Sequence, residues 1–222
     1  MNIVVCGHGA FAKEIIALCT EKNIRAGRSD DERNFCSNCV AIHCGTGRQL
    51  EGFLGDCGRF GIPVIQASSG QKLPDDLPCP VIDAPNLALP VVQFLKGLLA
   101  FVVGFEHLGL AKCLVESHQH TKKSVPETAR RMADAICIPQ ADIHSVRDDY
   151  LQESLGVPHE HLGRHGYHWI KFVGDGIEIG LSTKVNGLRP YALGALHIAE
   201  NALALHAKGA LANGLHPVSE FI

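Results

Sequence analysis

Short apolar runs alternate with helix-period segments along the first part of the chain. Asn2–Cys6 (NIVVC) is continuously apolar apart from its first residue and stops at Gly7, which reads as a strand buried on both faces. From Ala10, the residues Phe11, Ile15, Leu18 and Cys19 recur at helical spacing. Cys39–Cys44, Ile62–Ala67 and Pro80–Ala84 are further short buried strands, and Gly47–Gly61 between the first two reads as a helix. Strands alternating with helices predict an α/β domain with a Rossmann-like, doubly wound parallel sheet over residues 1–88.

The pattern changes after that. Leu87–Phe105 reads as a long helix, His107–Ser117 as a long strand, and Val125–Ile136 as a helix with Pro126 at its first position, where a missing N–H costs nothing. Asp142–Arg147, Tyr167–Asp175 and Gly176–Val185 follow as strands, the last two forming a hairpin that turns at Gly174-Asp175-Gly176. Arg189–Leu211 is a long helix. Strands in series predict a C-terminal α+β domain with an open mixed sheet over residues 89–199. The segment from about 200 to 222 is expected to return to the first domain.

Composition excludes several classes. A formal net charge of −3 without a basic block makes nucleic acid a poor partner. The apolar stretch Leu87–Phe105 is broken by Pro90, Gln93, Lys96 and two glycines, so no membrane span is expected. The first residues carry no cationic region followed by a long apolar one, so the expected compartment is the cytoplasm. The nine Cys are odd in number and sit mostly in apolar runs, which fits reduced thiols there. The one CxxC, Cys36–Cys39, lacks a second ligand pair at matching spacing, although His43, Cys44 and Cys57 are near it in the chain, so no metal is expected.

Two stretches carry chemistry. Gly7-His8-Gly9-Ala10-Phe11-Ala12 reads G-x-G-x-x-A between a strand and a helix. The first Gly makes the turn, the second admits a pyrophosphate, the small third residue allows helix–strand packing, and the helix N-terminus attracts phosphate. NADPH or NADH is the expected cofactor. In the following loop, Arg25 or Arg28 would pair with a 2′-phosphate, and Asp30 or Asp31 with a 2′-hydroxyl; the arginines come first, which favours NADPH. The second stretch, Val115–Ile136, gathers His118, His120, Lys122 and Lys123 just before a helix N-terminus. An acid/base group beside ammonium groups and free backbone N–H groups suits proton transfer to an anionic substrate.

This second stretch resembles the active-site motif of the dihydrodipicolinate reductase (4-hydroxy-tetrahydrodipicolinate reductase) family of lysine and diaminopimelate biosynthesis, approximately E-x-H-H-x-x-K-x-D-x-P-S-G-T-A. Here Glu116, His118, Lys122, Pro126, Thr128 and Ala129 match. Gln119 stands for the second His, Ser124 for the Asp and Glu127 for the S-G pair, with one residue missing. Residues 63–70 resemble the family's G-T-T-G turn near the nicotinamide, residues 84–90 its A-x-N-F-S segment, and residues 165–185 its hairpin. The resemblance implies reduction of a cyclic imine or unsaturated dicarboxylate by NAD(P)H. It implies His118 as the proton donor, Lys122 as the cation for a substrate carboxylate, and Thr128 as a carboxylate donor, with His120 replacing the lost second His. It implies cofactor contacts from Gly7, Gly9, Ala10, Phe11, Arg28, Gly45, Ser68, Ser69 and Asn86. It also implies a substrate-binding and oligomerisation role for residues 89–199, and a homotetramer or homodimer. The alternatives are a diverged imine or keto-acid reductase and a non-catalytic NAD(P)-binding protein. Within His159–His168 (HEHLGRHGYH), His159, His161 and His165 read as a mobile polar loop, while His168 matches a family His at a strand start.

Overall fold

The structure is a computed structural model that describes residues 1–68, 72–105 and 107–222. In chain order its elements are β1 (Asn2–Cys6), α1 (Ala10–Glu21), β2 (Arg25–Arg28), β3 (Cys39–His43), α2 (Leu50–Phe60), β4 (Val64–Gln66), β5 (Pro80–Asp83) and α3 (Leu89–Val103). Then come β6 (Ala111–His118), α4 (Glu127–Ala135), β7 (His144–Val146), α5 (Asp149–Ser154), β8 (His165–Gly174), β9 (Ile177–Asn186), α6 (Arg189–Ala207) and β10 (Gly214–Pro217). The chain divides into two compact units, Met1–Leu89 with Leu188–Ile222, and Pro90–Gly187.

The first unit is a parallel sheet of order β10-β5-β4-β3-β1-β2. Its apolar runs alternate between two cores. Ile3, Val5, Val40, Ile42, Ile65 and Ile82 face α1 and α6. Val4, Ala41, Val64 and Val81 face α2 through Leu50, Phe53, Leu54 and Cys57. Both faces of the sheet are therefore covered, which is why these strands lack a polar side. The unit takes in α6 from its start, earlier than the expected return near residue 200. The cause is packing: Ala192, Ala195, Ile198, Ala199 and Ala202 are buried in the same core as Ala12, Ile15 and Leu18. Gly194 is obligatory for this seat, because a Cβ there would lie 1.7 Å from the Leu87 carbonyl oxygen.

The second unit is a mixed sheet of order β7-β6-β8-β9, with β6–β7 parallel and the other pairs antiparallel. The β8–β9 hairpin turns at Asp175-Gly176 as expected, with Gly174 opposite Ile177. Pro126 corrects the sequence reading by one position. It is the extended residue that caps α4 (φ −63°, ψ 146°) rather than the first helical residue. No helix of the described residues is long and apolar enough to cross a membrane.

Candidate active site

In a parallel sheet, ligands sit beyond the carboxyl ends of the strands, where the strand order reverses. Here that point lies between β1 and β3, and two glycines flank it. Gly7 has φ +131°, and a Cβ on it would lie 2.9 Å from the Gly45 amide nitrogen. A side chain would thus both strain the backbone and push the two loops apart. Gly9 has nothing within 4 Å of its Cβ position, so the space above the start of α1 is open. No side chain caps that helix and no acidic residue lies in its first turn. Its free N–H groups therefore face open space with nothing to repel a phosphate. Ala12 is fully buried, as the fingerprint's third position requires.

The other candidate cofactor residues fall around this edge in different ways. Arg28 ends β2, and its guanidinium donates to the Gly7 carbonyl. Ser68 Oγ donates to the Gly45 carbonyl (2.8 Å), and Gln66 Nε2 donates to the Ser68 carbonyl (3.0 Å), so the loops after β3 and β4 are tied together. Asn86 Oδ1 accepts from the Ala88 amide (2.9 Å) just ahead of α3. Ala10 is exposed and Phe11 half-buried on the first turn of α1. Ser69 lies outside the described residues. Arg25 is misplaced as a phosphate partner. It pairs with Asn2 at the amino end of the sheet, and three residues of strand, roughly 10 Å, separate it from the loop edge. The Asp31 carboxylate is taken by Arg33, at 2.9 and 2.8 Å.

In the second unit the candidate chemistry is built on Glu116. It lies on β6 with 0% of its surface exposed. It accepts from His118 Nδ1 at 2.8 Å, from Ser145 Oγ at 2.5 Å, and from Arg147 Nη1 and Nη2 at 3.1 and 2.5 Å. Burial by itself would raise the pKa of this carboxyl. The hydrogen bonds from His118, Arg147 and Ser145 outweigh burial and bring it down to about 2. An ionised carboxylate can only accept, so His118 must carry a proton on Nδ1, and Nε2 is the ring nitrogen left for a ligand. The His118 side chain is 14% exposed, which leaves that nitrogen a route to a ligand.

Two further His rings lie beside His118. His168 lies 5.6 Å from His118 between ring centroids, and burial pushes its pKa down to about 3, so it stays neutral. His165 donates from Nδ1 to the His161 carbonyl (3.1 Å), and its Nε2 meets Ser117 Oγ at 2.8 Å. Burial lowers its pKa as well. This corrects the polar-loop reading: His165 is buried at the start of β8, and His159 and His161 belong to a 3₁₀ turn. Lys122 closes a tight turn by donating its amide to the Gln119 carbonyl (2.9 Å), while its own carbonyl accepts from Arg147 Nε (2.9 Å). Its ammonium has no ion pair among the described residues.

Two expected substrate groups fare differently. Thr128 is half-buried in the first turn of α4, beside the end of that loop. His120 is 64% exposed, with Nδ1 3.9 Å from Asp149. Glu127 is 57% exposed and leans on Arg131 at 3.4 Å, one helical turn on. Four residues escaped the sequence reading: Ser145, Arg147, Gln152 and, as the anchor, Glu116. Gln152 is fully buried and donates to the carbonyls of His118 (2.7 Å) and Val146 (3.1 Å), fastening the ends of β6 and β7 together. The S-x-R spacing within Ser145-Val146-Arg147 was the available signal, since alternate strand residues share a face.

Among the described residues, no group of three or more His, Cys, Asp and Glu is placed to hold a metal ion. No family model matches the chain. Over 166 residues the chain is 26% identical to a probable 4-hydroxy-tetrahydrodipicolinate reductase 1, chloroplastic, of Oryza sativa subsp. japonica, a match that takes in 68% of this chain and 48% of that protein. The chain spans about half the length of this curated relative. Among solved structures, a dipicolinate-bound dihydrodipicolinate reductase from Paenisporosarcina sp. TG-14 superimposes with a TM-score of 0.62 at 14% identity, over 98% of this chain and 97% of that one. The fold is that of dihydrodipicolinate reductase. The sequence match bears out the family resemblance, and the superposition bears out the two-part fold read from the sequence.

Proposed function

We propose that the protein is an NAD(P)H-dependent reductase of a cyclic imine or unsaturated dicarboxylate, of the 4-hydroxy-tetrahydrodipicolinate type. The observation that carries the reading is the buried, ionised Glu116, which accepts from His118 Nδ1, with Lys122 four residues on in the same loop and in no ion pair with a described carboxylate. The first unit supplies a fitting cofactor cradle: an open space over Gly9 at the uncapped start of α1.

When bound there, the cofactor supplies a hydride. The chain's own residues do the rest. Gly7 and Gly9 let backbone approach the pyrophosphate, and Arg28 stands at the end of β2, where a ribose 2′-phosphate would be read. Lys122 holds a substrate carboxylate, and Thr128 with the first N–H groups of α4 offers further donors. His118 delivers a proton from Nε2 to the reduced atom and is reprotonated from solvent. Glu116 stabilises the imidazolium while it exists and the correct tautomer afterwards. The enzyme works as a homo-oligomer in the cytoplasm. The exposed edge strand β9, with Ile177 58% exposed, supports association.

A diverged reductase with another substrate is favoured by one feature, Gln119, which cannot take the charge of the family's second His. Isothermal titration with NADPH and NADH, followed by NADPH oxidation with freshly generated 4-hydroxy-tetrahydrodipicolinate, tests both readings. Turnover supports the first. Cofactor binding without turnover supports the second. No binding of either nucleotide at millimolar concentration overturns both.

A further inference from the structure

The CxxC segment lies away from the loop edge of the sheet, at the amino end of β3, where Cys39 pairs with Asn2. Cys36-Ser37-Asn38-Cys39 forms a turn closed by the Cys39 amide donating to the Cys36 carbonyl at 3.0 Å. Such a turn keeps its end Cα atoms within about 7 Å, a span that overlaps what a disulfide needs. The sulfurs face each other, with Sγ atoms 2.7 Å apart. The two thiols are not equivalent. Cys36 is half-buried and accepts a hydrogen bond from Asn2 Nδ2 at 3.1 Å, while Cys39 is fully buried, its Sγ 3.4 Å from the Asn34 carbonyl oxygen.

We propose that Cys36 and Cys39 are a redox site, a reversible dithiol–disulfide pair that exchanges with low-molecular-weight disulfides such as glutathione disulfide. The Cys36 thiolate attacks one sulfur of the small disulfide, forms a mixed disulfide and releases one small thiolate. Cys39 then loses its proton to solvent and attacks Cys36 Sγ, and the second small thiolate leaves. Two protein thiols and one small disulfide thus become one intrachain disulfide and two small thiols. No metal is needed, and the pair offers only two ligands, with no further group among the described residues to complete a site.

The electrostatics favour this order of events. At Cys36 burial works to raise the pKa, but hydrogen bonds from Cys39 and Asn2 outweigh it and lower the thiol below its ordinary value. Burial pushes Cys39 up to about 12. That is the division between an attacking and a resolving thiol. The remaining half-buried candidate nearby, Cys44, is pushed up by burial to about 12 and has no turn partner.

The test equilibrates the full chain with glutathione mixtures from fully reduced to fully oxidised. Acid quenching, alkylation, tryptic digestion and mass spectrometry of the peptide Asn34–Arg48 follow. Under oxidation we expect that peptide to lose two hydrogens, to take one alkyl group at Cys44, and to give no fragments between Cys36 and Cys39. Dithiothreitol restores three alkylations. Cys36→Ser abolishes the loss and Cys44→Ser preserves it. Three alkylations at every glutathione ratio would overturn the proposal, as would a bond mapped to Cys44 or a glutathione adduct on Cys36 that never resolves. The first readout uses the unaltered chain, so a variant that fails to fold leaves the answer intact.

Discussion

Replacing Glu116 by Gln should destabilise the second unit in a pH-dependent way. The carboxylate accepts four hydrogen bonds in a fully buried position. A Gln offers one oxygen and turns two donor hydrogens toward donors. The Glu116 pKa of about 2, against the ordinary 4.5, corresponds to roughly 3 kcal/mol at 1.36 kcal/mol per tenfold change in proton affinity. Arg147 retains some water, its side chain being 21% exposed, which trims the figure to about 2–3 kcal/mol. The sign follows from a lowered carboxyl pKa. The stabilisation is complete above about pH 4.5 and is lost as pH falls toward 2. The assay is urea unfolding followed by Trp169, the chain's one Trp, which lies on β8 and reports this unit alone. Glu116→Gln should lose about 2–3 kcal/mol at pH 7, and the gap should shrink by more than half at pH 3. A loss under about 1 kcal/mol at pH 7, or a gap of equal size at both pH values, would refute the reasoning.

The remaining expectations concern the proposed activity and its cradle. Gly9→Val should leave stability within about 0.5 kcal/mol, since its Cβ position is open, yet weaken NADPH binding at least tenfold by titration calorimetry. Gly7→Ala should instead lose about 1–3 kcal/mol in the stability of the first unit, read by hydrogen exchange, because strain and a backbone clash both follow. His118→Ala should lower kcat by about 10²–10⁴, with KM far less affected; full activity would remove it from the mechanism. Glu127→Ala should change kcat/KM by less than about threefold. The side chain leans into solvent toward Arg131, where water screens its charge from a bound carboxylate.

The strands of the first unit were legible because burial on both faces leaves an unbroken apolar signature, as in Asn2–Cys6 and Cys39–His43. The edge strand β10 was not, since Gly214-Leu215-His216-Pro217 pairs on one side only and carries little apolar surface. The six-residue α5 was too short to show a period. At the candidate site, local motifs pointed to His118 and Lys122. What the sequence hid was the support. Glu116 meets Ser145 because β6 and β7 pair in parallel, and that register is a tertiary fact about residues 29 positions apart. For the same reason His165 passed for a loop residue: its partner, Ser117, lies 48 positions away. Arg25 failed as a phosphate partner because it does not lie in a loop: it opens β2, which runs on to Arg28.

The second unit is spliced into the first, and this has a consequence during synthesis. The first unit needs α6 and β10, and β10 joins the sheet by pairing Gly214 with Pro80. Residues 90–187 are translated in between. At about 5–20 residues per second, the α1 face built from Ala12, Ile15 and Leu18 waits on the order of 10–35 s before Ala195 and Ile198 can cover it. The interrupted half, although made first, is thus completed last. Its uncovered helix face is the surface a nascent-chain chaperone would find on the ribosome.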